Sequence, residues 1–209
     1  MTRDQVDAAP AVPYEGWQEV VKDQLKTLKV VSAGALAEPA VLWGVAFYVR
    51  GVAAETFDEF SLPFVPWVGL AVGIIGLVAA WGISQQLVRR NFQKLVAGTW
   101  RLPAASAGKL KNDLQEVVEK LGDPGKLWAI SVQAFLVRTW ILQGAATVVA
   151  VTYLLQPSWM AIATGVVLFI ALVRDYPTWI GTVQWISEGL RRLEYARTLH
   201  QLTGKPSPV

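Results

Sequence analysis

The sequence predicts an all-α integral membrane protein with four transmembrane helices, arranged as two tandem hairpins with cytoplasmic amphipathic helices. Its residues are 53% hydrophobic and only 17% charged, which is too apolar for an ordinary soluble domain. Phe60 to Val88 and Thr139 to Val173 carry no charge, and a membrane span needs about 20 mostly apolar residues. The pattern I-S-x-x-L-x-R-x-x-aromatic-x-basic at Ile83 to Lys94 returns at Ile186 to Arg197, which indicates a duplication.

The first repeat covers residues 15–100. Residues 1–14 lack the basic and apolar regions of a secretory signal, and we expect a short disordered tail there. Apolar residues from Trp17 to Leu28 recur at helical spacing and predict an amphipathic helix. The remaining elements are a first span at 30–51, a second span at 63–87 and a cytoplasmic extension.

The second repeat, residues 101–209, has the same order of elements. We expect an amphipathic helix at 106–121, spans at 128–155 and 159–186, and a C-terminal helix and tail. Gly122 to Gly125 should break the chain before the third span, and Gln156 to Ser158 should form the turn of the hairpin. Each copy has an even number of spans, so both copies enter the membrane from the same face and form a parallel repeat.

The basic residues indicate the orientation. None lies in either short hairpin loop, so the positive-inside rule predicts cytoplasmic N and C termini, in a plasma, inner or thylakoid-type internal membrane. Beside anionic lipid, each basic residue contributes about 1 kcal/mol. Alternatively, the amphipathic helices pack on one another as a small bundle. The basic residues expected at the membrane surface are Lys22, Lys26, Lys29, Arg89, Arg90, Lys94, Arg191, Arg192 and Arg197.

Small residues form a stripe on each helix of the first hairpin. Such stripes let two backbones approach closely, which is how membrane helices pack. We therefore expect a tight first hairpin; the sharper alternative is a homo-oligomer contact through the second stripe. The stripes are Ala33, Ala37, Ala40 and Gly44 on the first span, and Gly69, Gly73, Gly76 and Ala80 on the second.

Four ionisable residues interrupt the spans, namely Glu38, Arg138, Arg174 and Asp175. At about 1.5 Å per residue, Glu38 and the two arginines lie roughly 12 to 17 Å from the cytoplasmic ends of their spans, near mid-membrane. We predict a buried network that joins Glu38 to Arg138 or Arg174, with Asp175 taking the remaining partner. The network is either a structural pair or a site for transport or ligand binding. Pro177 is expected to kink the fourth helix.

The composition argues against most enzyme classes. The chain has no cysteine and one histidine, His200, so we expect no metal site. Paired acids, a nucleophile with its base and a phosphate-binding glycine loop are also missing. We therefore expect a non-enzymatic scaffold, membrane-shaping factor or accessory subunit of a larger membrane complex. Its partners would be the lipid bilayer and other membrane subunits or a second copy, and not nucleic acid.

Two other functions stay open. The intramembrane charges allow a small oligomeric channel or transporter. A pigment- or cofactor-binding subunit is the third interpretation, with a pigment or quinone held beside Trp43 or Trp140. The sequence requires no cofactor, and a bound lipid or pigment is compatible with it.

Two resemblances accompany these readings. The order of amphipathic helix, two spans and amphipathic helix resembles the topology of reticulon-type and thylakoid curvature proteins, which implies membrane shaping. A Glu and an Arg paired across related helices resembles the pigment ligands of chlorophyll a/b-binding proteins. The Glu-to-Arg spacing of that family within one helix is absent, because Trp43 stands five residues after Glu38.

Overall fold

The computed structural model describes residues 16–52, 62–102 and 109–203, and these residues form six α-helices and no strand. The predicted tail at 1–14, the loop of the first hairpin and the first residues of the 106–121 helix lie outside the described residues. The helices are α1 (Trp17–Val52), α2 (Val65–Val96), α3 (Lys109–Leu121), α4 (Asp123–Leu155), α5 (Trp159–Arg174) and α6 (Trp179–Thr203).

Three of these helices, α1, α2 and α4, are long and apolar enough to cross a membrane, and α5 and α6 meet the same criterion only as one interrupted span. The described chain therefore has three or four candidate spans. The most apolar 18-residue window of α1 is only 17% buried in the protein. Water-soluble proteins rarely expose so continuous an apolar surface. The helices thus fit a multi-pass, all-α membrane protein.

The segment 159–186, where we expected one continuous span, contains two helices. α5 ends at Arg174 and α6 begins at Trp179. Pro177 explains the interruption, because proline has no N–H for the carbonyl of Val173 and its ring clashes with that carbonyl. The kink expected from the proline is therefore a complete break in the helix.

Two compact units make up the described chain. The unit that we call the span unit consists of Leu25–Asn91 and Ile130–Thr178. The other, which we call the end unit, consists of the described residues up to Gln24, Phe92–Ala129 and those from Trp179 onward.

The core of the span unit combines residues of α1, α2, α4 and α5. Small and branched side chains fill it, with Ala80, Leu142, Val149 and Leu168 all fully buried. Small side chains allow close helix contact where no water is present to drive association. The outward faces of the same helices carry large exposed apolar residues such as Ile75 and Val78.

The end unit contains the amphipathic helices. The apolar residues Leu114 and Val117 of α3 and Leu190 and Leu193 of α6 are buried in the protein, so these faces contact other helices rather than lipid. This burial agrees with the alternative in which the amphipathic helices pack on one another as a small bundle. Gly122 connects α3 to α4 with a φ of +65°, a left-handed conformation that glycine adopts without strain.

Candidate functional site

The polar side chains that could act within the span unit form two groups. The first, called the Arg138 cluster, consists of Trp81, Ser84, Arg138, Arg174 and Asp175. The second, called the Glu38 cluster, consists of Ala35, Glu38 and Gln143.

Arg138 is the centre of its cluster and binds partners on α2 and at the end of α5. Its Nη1 donates to Asp175 Oδ1 at 3.0 Å, while its Nε and Nη2 donate to Ser84 Oγ at 3.3 and 3.1 Å. The guanidinium carbon lies 4.2 Å from the centroid of the Trp81 ring, within the range of a cation–π interaction. The Arg138 side chain is therefore held on three sides.

Helix positions bring Ser84 and Asp175 to Arg138. Ser84 is fully buried on α2 and donates its own hydroxyl proton to the Trp81 carbonyl, which leaves its oxygen lone pairs for the guanidinium. Asp175 caps the C-terminus of α5. The carbonyl end of a helix carries partial negative charge, so the α5 dipole and the Asp175 carboxylate both favour a cation there.

Two groups in the cluster, Asp175 Oδ2 and the Arg174 side chain, take no part in the ion pair of Arg138 and Asp175. The Asp175 side chain is only 9% exposed. Its Oδ2 is buried and has no hydrogen-bond partner among the described residues. Arg174 is exposed, lies 5.7 Å from the Trp81 ring centroid and makes no ion pair in the described part of the chain. Two arginines and one aspartate leave the cluster with one net positive charge.

The Arg138 cluster lies far along α5 from Trp159. Helix α5 has 16 residues and therefore places Asp175 about 24 Å from Trp159. A hydrocarbon core is about 30 Å thick, so this distance exceeds the half-thickness of about 15 Å that separates mid-membrane from either boundary.

Gln143 and Glu38 form the second polar contact. Gln143 Nε2 donates to the carbonyl oxygen of Ala35 at 2.9 Å and to Glu38 Oε2 at 3.3 Å. The helix itself leaves the Ala35 carbonyl without a donor, because the residue four positions later is Pro39. Glu38 itself is exposed on α1.

The predicted pairing of Glu38 with Arg138 or Arg174 does not form. Asp175 pairs with Arg138, whereas Glu38 contacts Gln143. Gln143 follows Arg138 by five residues on α4, and a helix turns about 100° per residue. The two side chains therefore point about 140° apart, and a group near Gln143 does not reach Arg138.

The two small-residue stripes have different environments. A Cβ on Gly76 would lie 2.5 Å from the Cβ of Ala145, and added methyls on Gly69 and Gly73 would meet Thr152 and Thr164. The α2 stripe therefore packs on α4 and α5, and not on α1 as the tight first hairpin required.

The α1 stripe, in contrast, is exposed at Ala33, Ala37, Ala40 and Gly44. The side of α1 that packs lies one residue earlier in each turn, at Ser32, Leu36, Pro39 and Trp43. The stripe residues point about 100° away from this packed face.

The aromatic residues proposed beside a cofactor also differ. Trp43 packs against Phe47 and Tyr153, with ring centroids 5.6 and 5.4 Å away. Trp140 is 68% exposed.

The basic residues predicted at the membrane surface are mostly exposed, and two are not. Arg197 donates to Asp123 Oδ2 at 2.5 Å, and Lys29 is half-buried. The others, Lys22, Lys26, Arg89, Arg90, Lys94, Arg191 and Arg192, are exposed.

Asp123 was not singled out in the sequence, where it belongs to the turn before the third span. It accepts hydrogen bonds from Arg197 on α6 and from Lys126 at 3.0 Å. Burial raises the pKa of Asp123, but the two donors and their positive charges outweigh it, and the pKa lies below its ordinary value. Asp123 thus joins α4 to α6 within the end unit.

No group of three or more His, Cys, Asp or Glu side chains in the described residues is placed to hold a metal ion. Comparisons with protein-family models, with curated proteins and with solved structures find no match for this chain.

Proposed function

We propose that this chain is a non-enzymatic membrane protein that serves as an accessory subunit of a larger complex, with both termini in the cytoplasm. Its first span binds a transmembrane helix of another subunit. The observation that carries this proposal is the exposure of Glu38 on α1, about 12 Å into the span.

An ionisable side chain inside a membrane almost always faces protein or a water-filled cavity. Glu38 has one neutral partner, the Gln143 amide, which does not balance a negative charge. Gly34 and Ala37, the small exposed residues nearest Glu38 around the helix, leave the backbone of α1 accessible to a closely packed helix. The exposed carboxylate and the small residues near it together favour a second helix packed against this face of α1.

Charge complementarity defines the partner as a transmembrane helix with a lysine or arginine at the depth of Glu38. A second copy of this chain fits less well. Between Val30 and Tyr48 the described α1 has no basic residue, so a symmetric contact through α1 would bring two glutamates together. Like charges at such a contact are destabilising.

A photo-crosslinking amino acid at Ala37 tests this proposal in the native membrane. The expected adduct contains a transmembrane segment of one partner with a basic residue, and Glu38→Gln reduces its yield at least tenfold. The matched control position is Val78 on α2, which is 68% exposed and should react with lipid alone. Exchange of the two charges, by Glu38→Arg with an acidic residue in the partner, should restore the adduct. Adducts with lipid alone at Ala37, or with a second copy of this chain, would overturn the proposal.

A second candidate function is transport through the Arg138 cluster. The buried Asp175 Oδ2 without a hydrogen-bond partner favours it, as does the interruption between α5 and α6, because transporters bind substrates at broken helices. Proton flux into liposomes loaded with a pH-sensitive dye tests it. Asp175→Asn should abolish the flux and Asp175→Glu should retain it, at equal incorporation; absence of flux with the unaltered protein rejects this candidate.

The parallel duplication rests on the sequence echo and remains part of this proposal. Helix α2 continues unbroken over Val65–Val96, whereas the corresponding part of the second copy is divided into α5 and α6. Pro177, which has no counterpart in α2, accounts for that difference.

A further inference from the structure

A groove on the span unit points to a lipid site that is separate from both polar clusters. It lies between α1 and α5, has a volume of about 280 Å³, and is lined by apolar residues only. Trp43 and Phe47 form one wall, and Ile162 and Phe169 belong to the other.

We propose that this groove binds one acyl chain of a bilayer lipid, from the leaflet at the Trp159 end of α5. The chemistry of the wall supports this occupant. The lining contains no charged, amide or hydroxyl side chain, so a ligand with buried polar groups would leave them unsatisfied. An acyl chain has no such groups.

The length and depth of the groove match one leaflet. On α1 the lining extends from Pro39 to Phe47, which is about 12 Å, and on α5 from Ile162 to Phe169, about 10 Å. Measured along α5 from Trp159, these positions lie about 5 to 15 Å deep. Half of a hydrocarbon core about 30 Å thick covers the same range.

The groove is open toward the surrounding membrane. Phe47, Phe169 and Val166 all border it and are 46%, 41% and 52% exposed. A chain can therefore enter sideways from the bilayer, where acyl chains are the dominant apolar molecules. The volume is also slightly below the range of about 300 to 1,000 Å³ for pockets that enclose whole small molecules, which favours part of a chain over a ring system.

Gly165 shows why the groove persists beside so large a residue as Trp43. A Cβ at position 165 would overlap the Trp43 indole ring. The glycine thus lets the indole lie against the α5 backbone. The space beside the ring remains open between Ala40 and Val166, where the chain would bind.

Native mass spectrometry of the purified protein, supplied with a phosphatidylglycerol and phosphatidylcholine mixture, tests this site. The unaltered protein should retain one lipid after delipidating washes. Ala40→Leu fills the groove from α1 and should reduce retention at least fivefold. Ala37→Leu is the matched control, because it makes the same change at an exposed position of α1 outside the groove, and it should retain the lipid.

A second filling variant, Val166→Phe, approaches from the opposite wall and should also lose the lipid, which separates filling from misfolding of α1. Added lipid should raise the thermal midpoint of the unaltered protein and of Ala37→Leu, but not of the two filling variants. Retention of lipid by both filling variants, absence of retained lipid in the unaltered protein, or copurification of a pigment or quinone in its place would each overturn the assignment. Because the protein is purified without a partner, these outcomes do not depend on the function of Glu38.

Discussion

Gln143 on α4 donates a hydrogen bond from its side-chain amide to the backbone carbonyl of Ala35 on α1, with an Nε2 to oxygen distance of 2.9 Å. Pro39 follows Ala35 by four residues and cannot supply the donor that an ordinary helix residue provides. In lipid no water replaces the missing donor. One glutamine thus compensates for one proline and joins α1 to α4.

We predict that Gln143→Leu destabilises the protein by about 1–3 kcal/mol, because it leaves the partly buried Ala35 carbonyl without a donor. In a Pro39→Ala background the same change should cost markedly less, because an alanine at that position has an N–H for the carbonyl. Unfolding in detergent, measured for both single variants and the double variant, gives the coupling energy.

The matched control is Gln85→Leu, which makes the same change at an exposed position of α2 in the same unit. It should alter the midpoint little and show no coupling to Pro39→Ala. Additive effects of Gln143→Leu and Pro39→Ala would show that the glutamine does not compensate for the proline.

The stability of the protein should depend on both partners of the Arg138–Asp175 ion pair being present together. Asp175→Asn or Arg138→Gln alone leaves one partner's charge without its counter-ion in a largely buried place, and should destabilise the protein by about 3 kcal/mol. The double variant should cost less than the sum of the two single changes. Arg192→Gln, which removes an exposed pair with Glu188 on α6, should cost less than about 1 kcal/mol. Equal effects at the two pairs would argue against burial as the cause.

The sequence predicted the positions of the spans better than the contacts between them. Hydropathy located α1, α2 and α4, because each contains more apolar residues than a soluble helix tolerates. The depth of Glu38 could also be estimated, since a helix rises regularly. The partner of Glu38 depended on which faces of α1 and α4 meet, and one sequence does not contain that information.

The same limit explains why the contacts of Gly76 and Asp123 were not predicted. The spacing of the α2 glycines indicated close packing, but not that α4 and α5 would be the packed helices. Asp123 lay in a turn of Gly, Pro and Asp, where its conformational role concealed the salt bridge with Arg197, 74 residues later in the chain. A long-range ion pair has no local pattern in the sequence.

Gly76→Ala should destabilise the protein, because the new Cβ would lie 2.5 Å from the Cβ of Ala145 and the helices would have to separate. We expect a loss of about 1–3 kcal/mol from overpacking. Gly82→Ala makes the same change on the same helix where nothing lies within 4 Å, and should be neutral or slightly stabilising. Thermal unfolding of the two variants in one detergent compares them; similar midpoints would contradict close contact of α2 with α4.

Asp123 should make the stability of the end unit depend on pH. Its pKa is lower in the folded protein than its ordinary value, because the hydrogen bonds and charges of Arg197 and Lys126 outweigh the effect of burial. Its stabilisation is therefore complete above the ordinary carboxyl pKa of about 4 and is lost as the pH falls through the lower folded value. At pH 7, Asp123→Asn should cost about 1–3 kcal/mol. The difference in unfolding midpoint between the unaltered protein and this variant should stay constant from pH 7 to about pH 5 and then shrink toward pH 2.

Glu188→Gln changes an exposed acid on α6 and is the control, with a small difference at every pH. A gap that persists undiminished at pH 2, or one that widens as the pH falls, would show that the carboxylate charge of Asp123 does not hold α4 and α6 together.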